Sequence, residues 1–242
     1  MSLARRLSAE FAGAGLLVAA VIGSGIAASR LSPHDAGLQL LENAIVTAFA
    51  LGALILMFGP VSGAHFNPVV SAVDWWLGRR TGTGLAGRDV AGYALAQTFG
   101  AICGAVLANT MFDLPAVTWS QTSRPGGSLW LSEVVATAGL VLLIAALARS
   151  GRAATAPAAV GAYIGAAYWW TSSTSFANPA VTIGRAFSDT FAGIAPGSVP
   201  GFVAAQIIGG LLAVAAVAWW YPTGRSPAEL VVPHESQRTA AR

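Results

Sequence analysis

Apolar positions in this chain do not alternate or repeat on one helical face; they run in long unbroken blocks separated by short polar breaks. A bilayer core of about 30 Å needs roughly 20 mostly apolar residues per helix. Six blocks meet that measure: about Leu7–Ala28, Leu38–Gly59, Val90–Met111, Leu131–Ala148, Ala156–Thr171 and Val199–Tyr221. Two more are too short to span, one running from Asn67 to about Leu77 and the other from Asn178 to about Phe187. Apolar stretches of that length suit re-entrant segments or buried helices. Gly59-Pro60, Gly63, Pro68 and Pro179 supply chain breaks beside them. Arg5-Arg6 ahead of the first block imitates a secretory signal, but Glu10 lies inside the run and the second half of the chain repeats the pattern.

Composition agrees with a membrane solvent. Over 242 residues, 55% are hydrophobic and only 10% charged, against roughly a quarter charged in soluble domains. One cysteine, Cys103, excludes a disulfide-built fold. The net charge of +3 comes from arginine alone, and these arginines sit singly or in pairs between apolar blocks. They form no basic face, so nucleic acid is not an expected partner. With the N-terminus inside the cell, Arg5, Arg6, Arg79, Arg80, Arg88, Arg149, Arg152, Arg225, Arg238 and Arg242 are cytoplasmic, leaving Arg30, Arg124 and Arg185 outside. That bias puts both termini in the cytoplasm and the chain in the plasma or inner membrane.

The two halves share landmarks. Glu10, Asn67-Pro68 and Gln97 in the first correspond to Glu133, Asn178-Pro179 and Gln206 in the second. The Asn-to-Gln spacings are 97 − 67 = 30 and 206 − 178 = 28. Residues 1–113 and 128–221 therefore read as two copies, followed by a cytoplasmic tail at 222–242. Three spans per copy force the second to lie inverted, and inverted repeats place their working site near the midplane. Asparagine is a preferred N-cap and proline suits the first helical turn. Both Asn-Pro pairs are thus expected to start half-helices whose positive ends face the membrane centre. Such ends would repel cations around a water path, and the asparagine amides would donate to a passing neutral molecule. An ordinary turn is the competing reading of each pair alone; their matched positions argue against it.

Ser62-Gly63-Ala64-His65-Phe66-Asn67-Pro68-Val69-Val70 and Phe176-Ala177-Asn178-Pro179-Ala180-Val181 resemble the two signatures of the aquaporin, or major intrinsic protein, family. The resemblance covers about residues 7–221 and implies an all-α membrane protein: six transmembrane helices plus two half-helices in an inverted repeat. It also implies a homotetramer with a pore in each subunit and a passive flow of water or small neutral solutes. Val69 stands where the family's first box usually has alanine. Glu10 and Glu133 resemble the family's acceptors for loop N–H groups, with a proton relay as the alternative. Gln97 and Gln206 read as hydrogen-bonding partners between helices or loops. His65 reads as structural support, with a pH sensor or metal ligand as the alternative. Glycine at Gly13–Gly15, Gly100–Gly104 and Gly209-Gly210 allows close helix approach.

The expected filter departs from a water-only design. Water channels of the family carry arginine after the second box, facing an aromatic residue of the second helix. Val181 holds the first of these positions, and counting 20 residues back from Asn67 puts Thr47 at the second. The fifth-helix contribution falls on Tyr168 or on Ala166, depending on whether the helix start or Asn178 sets the count. Arg185, four residues after Val181, is either a vestibule cation or a surface anchor. Val181-Thr182 also differs from the arginine-aspartate of ordinary glycerol facilitators. The run through Ile194 resembles a bacterial branch linked to arsenic resistance, which implies arsenite, the neutral acid As(OH)3, as a solute. Pore width, lining donors and charge barriers decide such selectivity, so a widened channel is expected, with a water-selective aquaporin and an ion-coupled transporter as alternatives. No cofactor, metal cluster or nucleophile–base pair is indicated, and no enzyme activity is expected.

Overall fold

The computed structural model describes residues 1–79, 82 and 84–221. The expectations for Arg80, Arg225, Arg238, Arg242 and the tail lie outside those residues. The described chain is helical: α1 Leu3–Leu31, α2 Ala36–Ser62, α3 Pro68–Gly78, α4 Gly87–Met111, α5 Gly127–Arg149, α6 Ala156–Trp170, α7 Pro179–Arg185 and α8 Val199–Trp220. Six of these form a bundle, and α3 and α7 are half-helices within it.

Five helices are long and apolar enough to cross a membrane, by length and composition. The sixth expected span, α6, has 15 residues and is about 22 Å long at 1.5 Å per residue. The 3-10 turn Ala153–Thr155 extends it at one end. At the other end the chain leaves the helix at Thr171, which is extended (φ −114°, ψ 136°), and turns back towards α7.

Helix ends follow local chemistry. Asp35 caps α2 by accepting from the Leu38 N–H at 2.8 Å. Gly63, with φ 90°, ends that helix in a left-handed conformation that side chains disfavour. Arg6 pairs with Asp89 at 2.7 Å and joins the start of α1 to the start of α4. At the opposite face, Arg30 donates to the Phe112 carbonyl at 2.7 Å and joins the ends of the same two helices.

The halves pack alike, with α1 on α4 and α5 on α8. Glycine makes these contacts close enough for backbone to meet backbone. A side chain at Gly104 would strike the Gly15 carbonyl, and one at Gly100 would strike that of Phe11. In the second half a Cβ at Gly209 would lie 2.5 Å from the Val134 carbonyl oxygen. The outer surfaces of the long helices are apolar, with Phe49, Leu56, Leu95, Phe99, Leu211 and Leu212 exposed. Trp76, Trp219 and Trp220 ring one end of the bundle and Trp130, Trp169 and Trp170 the other, the usual place for tryptophan at a membrane–water interface.

Candidate functional site: a cavity between two half-helices

Each half-helix begins at its Asn-Pro pair. The Asn67 Oδ1 accepts from the Val69 N–H at 3.0 Å, and the Asn178 Oδ1 accepts from the Ala180 and Val181 N–H groups at 3.0 and 3.3 Å. Pro68 and Pro179 occupy the first turns, where a missing N–H leaves nothing unsatisfied.

The amide nitrogens, expected to donate to a passing solute, also have partners within the chain. Asn67 Nδ2 donates to the Ala177 carbonyl at 2.7 Å, and Asn178 Nδ2 donates to the Phe66 carbonyl at 2.7 Å. The two loops are thus laced to each other through their asparagines. An amide NH2 has two hydrogens, so each asparagine keeps one donor beyond this tie, and both residues line the cavity described below.

The tie needs an unusual backbone. Ala64 and Phe66 have φ of 51° and 50°, and Ser175 and Ala177 have φ of 50° and 49°. Left-handed residues other than glycine cost on the order of 1–2 kcal/mol each. Two carboxylates hold these loops in place. Glu10 accepts from Ser62 Oγ (2.6 Å), His65 N (3.0 Å), Phe66 N (2.7 Å) and Gln97 Nε2 (2.7 Å). Glu133 accepts from Ser173 Oγ (2.6 Å), Phe176 N (2.8 Å), Ala177 N (2.8 Å) and Gln206 Nε2 (2.6 Å). Four donors fill the roughly four lone-pair sites of a carboxylate. The glutamines reach onward, Gln97 Nε2 to Ser71 Oγ at 2.9 Å and Gln206 Nε2 to Thr182 Oγ1 at 2.8 Å. Ser71 and Thr182 then donate to the carbonyls of Asn67 and Asn178. Each network runs unbroken from a helix glutamate to its half-helix.

Between the halves lies a cavity of about 650 Å³, counting the part open to solvent. Asn67, Asn178, His65 and Ser175 are among its polar lining residues, and Leu51, Ile55, Leu140, Ile144, Val160 and Ile164 among its apolar ones. Thr47, Tyr168, Val181 and Arg185 also line it. Thr47 Oγ1 and the Tyr168 hydroxyl are 3.1 Å apart. Of the two α6 candidates, Tyr168 lines the cavity and is 3% exposed, whereas Ala166 is exposed on the outer side of the helix. Arg185 is 2% exposed, which corrects its reading as a surface anchor. Its Nε donates to the Ala192 carbonyl, and its guanidinium carbon lies 3.4 Å from the Phe176 ring centroid.

Three features had little sequence signal. His65 lines the cavity, with Nδ1 3.1 Å from Ser71 Oγ and Nε2 3.8 Å from Asp74 Oδ2; only its i, i+6 spacing from Ser71 and i, i+9 spacing from Asp74 hinted at this. Val69 sits beneath Gly210 of α8, where an added Cβ would approach within 2.5 Å. The loop before α5 carries Arg124, whose Nε donates to the Gly193 carbonyl at 3.0 Å and whose guanidinium faces Phe176 at 5.2 Å. Burial lowers the Arg124 pKa from its ordinary value, against the pull of Glu133 and Tyr168.

Comparison with known proteins places this geometry. The major intrinsic protein family model matches residues 1–175. An aquaglyceroporin, AqpS, of Rhizobium meliloti (strain 1021) is 50% identical over 98% of this chain and 97% of its own length. The glycerol uptake facilitator protein of Pseudomonas aeruginosa is 31% identical over 81% of this chain and 77% of its own. The X-ray structure of the aquaglyceroporin from Plasmodium falciparum superposes with a TM-score of 0.67, at 19% identity over 89% of this chain and 96% of that one. The chain belongs to the major intrinsic protein family and has the fold of its channels.

Proposed function

We infer that the chain passes water together with neutral solutes of glycerol size, arsenite among them, down their gradients through the Asn67–Asn178 cavity. The observation that carries this reading is the Thr47–Tyr168–Val181 section. Val181 puts an apolar side chain and no charge where a water-only design has arginine, and Thr47 puts a hydroxyl in place of an aromatic ring. The cavity lining then combines hydroxyl and amide groups with hydrocarbon side chains, a match for a polyol, which carries both hydroxyls and C–H groups. The 50% identical aquaglyceroporin supports solutes of this class. Cation exclusion follows from the positive ends of α3 and α7 meeting at Asn67 and Asn178.

Residues 1–113 and 128–221 act as inverted copies in this account, supported by the matched Glu10 and Glu133 networks. Each cavity is complete within one chain, and family membership supports a homotetramer of such pores in the plasma or inner membrane. The arginine bias supports cytoplasmic termini. The test is stopped-flow light scattering of proteoliposomes challenged with water, glycerol, urea and arsenite gradients. Flux of glycerol and arsenite above empty vesicles, with no imposed ion gradient, is expected. Water flux alone would instead favour a water-selective aquaporin, and uphill accumulation would favour coupled transport.

A further inference from the structure

We propose that Arg185 is a specificity-determining residue: with the Ser175 hydroxyl it forms a subsite in the cavity that takes the acceptor oxygens of uncharged, oxygen-rich solutes. This rests on the channel reading above and adds the group that recognises the solute. Arg185 ends α7 and is 2% exposed, yet among the described residues no carboxylate pairs with it. Its Nε is spent on the Ala192 carbonyl, and the guanidinium carbon sits over the Phe176 ring. That ring is itself fixed, at 5.1 Å from Phe202 and facing Arg124 on the loop before α5. The guanidinium is therefore held by one hydrogen bond and one ring face. A guanidinium has five N–H donors; the four on its terminal nitrogens find no acceptor among the described residues, and the residue lines the cavity.

Ser175 supplies the second half of the subsite. It is 3% exposed, lines the same cavity, and its Oγ has no hydrogen-bond partner. A buried hydroxyl and a buried guanidinium without acceptors are each costly in protein, and the cavity contents are what remain to satisfy them. Val181 lies four residues before Arg185, about 6 Å along the helix. The positive charge is thus moved one turn along α7 rather than removed, and the position of Val181 itself is left uncharged. A solute with two or more oxygens accepts from Arg185 and from Ser175, then passes to the Thr47–Tyr168 pair. A solute bearing only protonated amines has nothing to offer the guanidinium and is repelled by it.

The test is tracer glycerol uptake by proteoliposomes of the full chain, measured across glycerol concentrations for the native protein, Arg185→Met, Arg185→Lys and Ser175→Ala. Water permeability of the same vesicles reports whether each variant is assembled. Loss of hydrogen bonds to a charged donor corresponds to about a tenfold change in affinity. The half-saturating glycerol concentration is expected to rise about tenfold in Arg185→Met, less in Arg185→Lys, and by a smaller factor in Ser175→Ala. A merely structural arginine would lower the maximal rate and leave half-saturation alone, and that result in Arg185→Met overturns the proposal. If Arg185→Met passes neither water nor glycerol, Ser175→Ala decides, since it removes only a hydroxyl: unchanged half-saturation there also overturns it. A native protein that passes neither compound contradicts the channel reading itself, a failure distinct from that of the subsite.

Discussion

Replacing Glu133 by glutamine removes one oxygen and one charge from a group that accepts four hydrogen bonds. One oxygen keeps the Ser173 and Phe176 donors, and a new NH2 group then faces the Ala177 N–H and Gln206 Nε2, two donors it cannot serve. Hydrogen bonds to charged groups contribute about 1.5–3 kcal/mol each, so losing two costs about 3–6 kcal/mol. Gln206 offers partial relief. Its Oε1 has no partner, and an amide flip would turn that oxygen to the new NH2 at the expense of the bond to Thr182. The Ala177 N–H stays orphaned in a left-handed backbone, which keeps the expected loss at about 3 kcal/mol. For a chain of this size that corresponds to a fall of roughly 6–12 °C in Tm on the scale of soluble domains. Thermal unfolding of the purified protein in detergent checks this, with Glu10→Gln beside it. The two networks match donor for donor, so the two variants are expected to lose similar amounts and to lose water permeability together. A Glu133→Gln protein as stable as the native one would refute the idea that the carboxylate holds the loop. Normal stability with altered proton leakage would point instead to a proton relay.

Three further outcomes follow from the same geometry. Asn67→Asp places a carboxylate at the start of α3, where it neutralises the positive helix end; proton or cation conductance above that of native vesicles is expected, and an unchanged conductance counts against electrostatic exclusion at this point. Gly104→Val drives a branched side chain into the Gly15 carbonyl, so its detergent-solubilised yield and Tm should fall sharply, whereas Gly127→Ala, with open space around its Cβ, should stay within about 1 kcal/mol of native, the helix-propensity scale. Tyr168→Phe removes the partner of the Thr47 hydroxyl; glycerol flux is expected to drop more than water flux, and equal changes in both would remove that pair from solute selection.

The fold was legible wherever the physics is local. Asn before Pro writes a capped helix start at Asn67 and Asn178, and blocks of apolar residues write the long helices. Glu10 with Gln97 and Glu133 with Gln206 could be paired by spacing. Their loop partners could not, because those depend on left-handed Ala64, Phe66, Ser175 and Ala177, which are not the glycines that usually mark such backbone. The cross-ties from Asn67 to Ala177 and from Asn178 to Phe66 join residues 110 and 112 positions apart, and neither end carries a distinctive side-chain pattern. Tyr168 and Ala166 differ by two residues on one helix, about 200° of rotation at 3.6 residues per turn, so only the helix phase separates a cavity wall from an outer surface. Arg185 was legible as a charge near the end of the second box. Its burial depends on Phe176 and the Ala192 carbonyl, which the chain brings round by folding residues 186–195 back over α7.

The central claim is that solutes larger than water pass because Val181 leaves its position in the cavity without a charge and Thr47 leaves the second helix without an aromatic ring there. Its most direct measurement is the ratio of glycerol to water permeability in proteoliposomes, for the native protein and for the double substitution Val181→Arg, Thr47→Phe. The account predicts a high ratio for the native chain and a fall of about tenfold or more when charge and bulk are restored, with water permeability reduced far less, since pore width and charge set the barrier. An unchanged ratio in a double variant that still conducts water would contradict it and place the selective constriction elsewhere along the cavity.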